Sequence, residues 1–405
     1  MIRLLHTADW QMGRQYGRFE PEDAAALSEA RFSAIERIAA LANELQVDAV
    51  LVAGDVFDLQ TLTDRTLRRT FNATQGFTGP WIMIPGNHDA ALAENIWSRA
   101  KHIGAIPENV HTLLLPEVRE FPEIGIAILP APLTQRHTHT DLTEWFDYAI
   151  TSPALLRIGL AHGSVQGILA AEIDSANPIA PDRAQRARLD YLALGDWHGM
   201  KSINERTWYS GTPEQERFKD NGAGQALLVE FSDERVAAPK ITPYPVGQYQ
   251  WQQWESQLSV GSDLDLLLER LKSITKNTVL SIKLSGQISL EDYKRLQEAT
   301  DSAHANCRSL QLNQEQLHLV PSESDLADLH VDGYLNEVLA ELKAMQETNR
   351  PNGSQSPSTL PNAVQPADSQ VAGDALVLLT NAIIELGSIE KGSNQARSKG
   401  NGGRS

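Results

Sequence analysis

Leu51-Val52-Ala53-Gly54-Asp55-Val56-Phe57-Asp58 is the stretch on which the fold turns. The apolar run Ala49 to Ala53 stops abruptly at Gly-Asp-x-x-Asp, the pattern of a buried parallel strand whose loop carries two carboxylates. Four further segments repeat the pattern, each after an apolar stretch: Asp9-Trp10-Gln11, Gly86-Asn87-His88-Asp89, His162-Gly163 and Gly195-Asp196-Trp197-His198. A lone Gly-Asp or His-Gly pair is usually only a turn. Five such segments in order place Asp9, Gln11, Asp55, Asn87, His162, Asp196 and His198 beyond strand ends, which form the ligand-binding edge of an open α/β sheet. Seven polar groups gathered there are costly unless metals or partners satisfy them. Hard oxygens mixed with imidazoles suit Mn, Mg, Fe or Zn rather than copper or an iron–sulfur centre. Two ions about 3.5–4 Å apart clamp a phosphoryl group and activate a water. Asp55 is the carboxylate expected to join them.

Around this stretch the chain alternates. Arg3 to Ala8 reads as a strand, apolar positions from Pro21 to Leu45 recur at helical spacing, and Ala49 to Ala53 is the next strand. That is a βαβ unit with a right-handed crossover. A helix within 61–75 and the strand Trp81 to Ile84 follow, then a helix over 91–104 and short strands starting at Val110 and Gly125. The strands Leu156 to Ala161 and Tyr191 to Leu194 deliver His162 and Asp196. His6 reads as a packed core histidine, and His137 and His139 as residues of an exposed loop.

A domain boundary is expected near 235/236. Residues 236–320 alternate helix and strand, as in a small α+β domain, with Ser289 as an N-cap. The aromatic residues Tyr249, Trp251 and Trp254 are expected to pack this domain onto the first. Segment 321–348 holds an amphipathic helix over 325–347, and 349–405 is a low-complexity tail with a short apolar segment over 374–387.

The 405 residues carry a formal charge of −17, which argues against general coating of nucleic acid but not against a local grip on it. The single cysteine, Cys307, excludes internal disulfides and a thiolate-rich zinc site. Met1 to Leu5 reads as a strand rather than a signal peptide, and no run of 18 apolar residues exists. A cytoplasmic protein without membrane segments is the expectation.

The ordered motifs resemble those of the calcineurin-like metallophosphoesterases. The opening His6-Thr7-Ala8-Asp9-Trp10 and the small second domain narrow the resemblance to the bacterial Mre11/SbcD-type DNA repair exonucleases. That resemblance implies a four-layer α/β/β/α sandwich over 1–235, with a capping domain over 236–320. By the same resemblance Asp9, Gln11, Asp55 and His198 surround a first metal, and Asp55, Asn87, His162 and Asp196 a second. His88 protonates the leaving oxygen or steadies the phosphate, and Asp89 orients His88. Asp58 supports the loop from behind the ligands. Arg14 and Arg18, in the loop after Asp9, are candidate phosphate contacts. The implied cofactors are two divalent ions, manganese first among them. The implied partners are DNA and an SMC-like, Rad50-type ATPase bound through 325–347; the resembled family also forms homodimers.

Two positions depart from the family pattern, which has His where this chain has Gln11 and Asp196. A neutral amide oxygen is a weaker donor than imidazole, whereas Asp196 makes the second site more anionic. A small-molecule phosphodiesterase or phosphatase is the competing enzymatic expectation. A catalytically impaired scaffold for the ATPase is the non-enzymatic one.

Overall fold

The computed structural model describes residues 1–167, 176–232 and 237–320, together with Val338 and Glu341. The expected helix over 325–347, apart from those two residues, and the tail over 349–405 lie outside the described residues. By contacts the chain divides into two units. The first is Met1–Gln252 with Asn277–Val279, and the second comprises Gln253–Lys276 and the described residues from Leu280 on.

The first unit begins with β1 (Ile2–Thr7), α1 (Pro21–Glu44), β2 (Ala49–Ala53), α2 (Asp64–Ala73), β3 (Trp81–Ile84), α3 (Ile96–His102) and β4 (Val110–Thr112). It continues through β5 (Arg119–Phe121), β6 (Ile126–Ala131), β7 (Leu156–His162), β8 (Ser164–Val165) and β9 (Pro178–Ile179). The short α4 (Arg183–Arg186) leads to β10 (Tyr191–Gly195), β11 (Lys201–Asn204), β12 (Thr207–Tyr209), β13 (Gln225–Phe231) and β14 (Lys240–Pro245).

Two six-stranded sheets result, in the orders β14-β13-β1-β2-β3-β4 and β11-β12-β10-β7-β6-β5. In the first, β1 to β4 are mutually parallel. In the second, β6, β7, β10 and β12 are parallel. Side chains alternate across each strand. Leu5, Val50, Val52, Trp81 and Met83 face α1 to α3, whose buried faces include Ile35, Ile38, Leu67, Phe71 and Trp97. Their neighbours Leu4, Leu51 and Ile82 turn the other way and meet Ile128, Ile158, Leu160 and Ala193 between the sheets. Leu129, Leu192 and Leu194 pack on the far side with Phe146 and Ala184. Burial on both faces explains why β2 reads Ala-Val-Leu-Val-Ala with no polar alternation. This is the α/β/β/α sandwich, and its strand ends align the site.

Local chemistry sets the helix ends. Pro21 occupies the first turn of α1, and Glu22 and Asp23 add negative charge where the helix dipole favours it. Thr63 caps α2 by accepting from Thr66 N at 3.2 Å. The helix expected from residue 91 begins only at Ile96, because the Asn95 side chain accepts from Ser98 N at 2.8 Å and sets the cap there.

The first sheet continues past 235. Strand β14 pairs antiparallel with β13, with Ala226 opposite Tyr244. Pro243 and Pro245 hide this strand in the sequence, yet it lies at the sheet edge, where proline is tolerated.

The strands β15 (Gln250–Leu258), β16 (Thr278–Ile288) and β17 (Ser309–Leu319) form a three-stranded sheet. In the second unit the helices α5 (Gly261–Leu271) and α6 (Leu290–Asn306) cover the face bearing Leu280, Ile282 and Leu284. Ser289 caps α6, accepting from Asp292 N at 3.1 Å. The aromatic trio divides: Tyr249 and Trp251 pack with Tyr16 and Leu27 in the first unit, whereas Trp254 belongs to the core of the second. Among the described residues no helix is long and apolar enough to cross a membrane.

Candidate metal centre

The five motif loops leave the carboxyl ends of β1, β2, β3, β7 and β10. Their backbones are unusual. Asp9, Gln11, Asp55, Asp196 and His198 have φ of 53°, 50°, 52°, 102° and 56°, the left-handed region that non-glycine residues seldom enter. Such residues cost about 1–3 kcal/mol each and persist where the surroundings over-determine them. Here the loops after β1 and β2 are laced together: Asp9 N donates to Gly54 O (3.1 Å), Gln11 N to Asp55 O (3.0 Å), Met12 N to Val56 O (2.9 Å) and Asp58 N to Met12 O (3.0 Å). Gly54, Gly86 and Gly195 leave room for the His162 ring, which a Cβ at any of the three would strike.

Asp9, Asp55 and His162 are buried and offer ligand atoms that all lie within 4.8 Å of one another. His162 Nδ1 lies 2.9 Å from Ala53 O, a carbonyl that can only accept, so Nδ1 carries the proton and Nε2 faces the acidic side. Nε2 is 3.0 Å from Asn87 Oδ1, 3.6 Å from Asp55 Oδ1 and 3.7 Å from Asp196 Oδ1. Turning the Asn87 amide over lets its nitrogen donate to both Asp55 oxygens at 3.1 Å. Burial works against a charge on His162, but Asp55, Asp9 and Asp196 outweigh it and raise its pKa to about 9. Burial is also the main reason Asp9 rises to about 6.

On the other flank Asp196 N donates to Asp9 Oδ1 at 3.0 Å, and Ser164 Oγ to Asp196 Oδ2 at 3.0 Å. Gln11 Nε2 donates to Asp55 Oδ2 at 2.6 Å, while Gln11 Oε1 is buried with no partner. The residues fit divalent cations on these observations: convergent hard donors, one orphaned buried carbonyl oxygen, and a histidine whose outer nitrogen is fixed by a carbonyl.

His88 stands apart from the buried donors, with 27% of its side chain exposed. Its main-chain N donates to Asp55 Oδ1 at 2.9 Å, and its Nδ1 lies 2.9 Å from Asp58 O. Asp89 does not touch this ring in the role expected of it. Both its oxygens accept from the loop backbone, Oδ1 from Gly86 N (2.6 Å) and Oδ2 from Phe57 N (3.1 Å). Burial, with the Asp55 charge, raises Asp89 to about 8. Asp89 shapes the loop, and Asp58 holds the histidine.

Arg14 is drawn inward, 3.1 Å from Glu216 and 3.5 Å from Asp58, and Arg18 is exposed. His6 is buried with Nδ1 2.9 Å from Tyr191 Oη, and His137 and His139 are exposed.

Glu216 is the residue that motif reading missed. It is buried, lies 2.7 Å from His198 Nδ1 and pairs with Arg31 (2.8 Å), Arg14 (3.1 Å) and Arg217 (2.5 Å). Burial raises its pKa, but the His198 bond and the charges of Arg31, His198 and Arg14 overcome that and hold it well below the usual carboxylate range. Burial likewise lowers His198, and the Asp9 charge with the Glu216 bond brings it above its ordinary value. The signal in the sequence is faint. Glu216 lies several residues beyond the strand Thr207 to Tyr209, after a loop distinguished only by Ser210-Gly211-Thr212-Pro213.

Residues 2–221 match the family described as calcineurin-like phosphoesterase. A subunit of the SbcCD nuclease of Escherichia coli (strain K12) is 24% identical over 401 residues, spanning 86% of this chain and 95% of the relative. Its namesake from Bacillus subtilis (strain 168) is 24% identical over 346 residues, 74% of this chain and 83% of the relative. The DNA double-strand break repair protein Mre11 of Methanosarcina mazei is 38% identical over 267 residues, 60% of this chain but 38% of its own length. Because the family match takes in more than half of the chain and every donor from Asp9 to His198, the chain belongs to the calcineurin-like phosphoesterases.

Proposed function

We propose that this protein is a metal-dependent DNA nuclease acting in repair, with a Rad50-type ATPase as its partner. The observation that carries the reading is the extent of the likeness. Relatives named as nuclease subunits align over 86% and 74% of the chain, well beyond the phosphoesterase region. The site chemistry agrees with it. Divalent ions, when bound, supply Lewis-acid activation and charge neutralisation at the scissile phosphate. In this reading Asp55 would join two donor groups, one of Asp9, Gln11 and His198 and one of Asn87, His162 and Asp196; the close approach of Asp9, Asp55 and His162 supports it. The half-buried His88 ring is the imidazole left to meet a substrate. With Nδ1–H held by Asp58 O, only the doubly protonated ring can donate from Nε2 to a leaving oxygen or a phosphate. Manganese is the favoured ion, as an O/N donor set permits.

The test is an assay of the purified chain on end-labelled DNA and on bis(p-nitrophenyl) phosphate, with Mn, Mg and Zn compared. Cleavage of both, lost on chelation, is expected. Hydrolysis of the ester alone would replace the nuclease by a small-molecule phosphodiesterase.

A further inference from the structure

The segment between the last two ligand candidates carries a feature that the motif does not require. Trp197, half-buried between Asp196 and His198, has two ammonium groups over its ring. Lys201 Nζ lies 4.8 Å from the ring centroid and Lys219 Nζ 5.1 Å. The lysines come from different elements, one from β11 and one from the loop that joins β12 to β13. A lysine on an edge strand alone is ordinary protection against strand pairing. Two lysines converging on one indole are not explained that way.

Among the described residues neither ammonium has a carboxylate within ion-pair distance, so their charge is unspent in a chain of net charge −17. The half-exposed Arg217 also lies beside His198, 3.2 Å from its Nδ1, with its own charge engaged by Glu216. Gly199 packs so closely on the loop bearing Lys219 that a Cβ there would sit 2.6 Å from Asn221 O.

We infer that Trp197, Lys201 and Lys219 form a clamp for the backbone phosphate next to the scissile one on a nucleic acid strand. The indole face attracts the ammoniums and pins two otherwise mobile side chains at the rim, which lowers the entropy lost when a phosphate is gripped. The clamp contributes to binding an extended strand and offers little to an ester with a single phosphate. The inference rests on the nuclease reading and adds the residues that select a polymer.

The experiment uses the full chain and a short labelled single-stranded oligonucleotide. Binding is measured in EDTA against salt concentration, and KM is measured with manganese on the oligonucleotide and on bis(p-nitrophenyl) phosphate. For the double variant Lys201→Gln/Lys219→Gln, the log–log salt slope should fall by about 0.7 per lysine. The oligonucleotide KM should rise about ten-fold more than the ester KM. Trp197→Phe, which keeps a ring, should resemble the parent, and Trp197→Leu should resemble the double variant. Normal binding by the parent with an unchanged slope in the double variant overturns the clamp alone. A parent that hydrolyses the ester but neither binds nor cuts the strand overturns the clamp and the nuclease reading together.

Discussion

Gln11 Nε2 donates to Asp55 Oδ2 at 2.6 Å, so the side chain that replaces the family's imidazole addresses the central carboxylate through its nitrogen. An imidazole presents a basic lone pair to a cation, whereas this amide leaves a cation only its neutral Oε1 while its nitrogen engages a carboxylate oxygen. Gln11 Oε1 is buried without a hydrogen-bond partner. Replacing Gln11 by His should therefore tighten manganese binding at the weaker position by roughly ten-fold or more, the scale on which ligand-shell changes act. Calorimetric titration reads this directly. Identical isotherms for the two proteins would contradict the account of Gln11.

His88 is the half-buried imidazole of the loop after β3, held through Asp58 O and not counted among the buried donors. The substitution His88→Ala should lower kcat on a phosphodiester by about 10²–10⁴, the usual contribution of a positioned acid, and leave metal content as in the parent. Loss of metal from the variant would move His88 into the ligand set, and undiminished turnover would remove it from the chemistry.

Much of this centre is legible in the sequence because each donor follows a strand buried on both faces, and such strands announce themselves as unbroken apolar runs. The bounds of β2 and β3 follow from that alone. Asp89 is easily misassigned because adjacency to His88 in sequence suggests adjacency in function. Its carboxylate turns back onto Gly86 and Phe57, a local loop bond with no periodic signature. Glu216 is invisible for the opposite reason, since its importance comes from Arg31 on α1, 185 positions away. Strand β14 is masked by its prolines, and the polar residues of β17 hide a long half-exposed strand behind a short apolar core.

The charge network under His198 should be a stability element as well as a positioning one. Arg31 is 2% exposed in its side chain and has Glu216 as its charge partner, with Tyr16 Oη and Trp10 O accepting from its other N–H groups. Removing one partner of a buried pair typically costs about 3–5 kcal/mol. The substitution Glu216→Ala should lower the thermal midpoint by roughly 6–20 °C, from about 2–4 °C per kcal/mol in a domain of this size. Glu216→Gln, which keeps a hydrogen-bond acceptor, should lower it less. Equal midpoints for Glu216→Ala and the parent would show that Arg31 has another adequate partner.

The metal-free protein should respond to pH in a defined direction. His162, raised to about 9, binds its proton more tightly in the fold than in the unfolded chain. Its contribution is fully present below about 6.5, the ordinary histidine value, and is lost as pH rises through about 9. Asp9, raised to about 6, acts in the same sense at lower pH, losing stability between its ordinary value and about 6. A bound cation displaces the His162 proton and is favoured by the same rise in pH. The gain in melting temperature on adding saturating manganese should therefore be larger at pH 9 than at pH 6. A gain that shrinks with rising pH would contradict the assignment of His162 to the cation site.

Asp55 accepts from Gln11 Nε2 and the His88 main-chain N and lies 3.6 Å from His162 Nε2, the position from which it would join both halves of the proposed centre. The most direct measurement is the number of manganese ions bound per chain, by calorimetry and elemental analysis, for the parent and for Asp55→Asn, beside hydrolysis of bis(p-nitrophenyl) phosphate. The account predicts two ions in the parent, the second held more weakly. In Asp55→Asn both should be loosened together and hydrolysis lost. A variant that gives up one ion and binds the other as the parent does, or that still turns over the ester, would contradict a bridging role for Asp55.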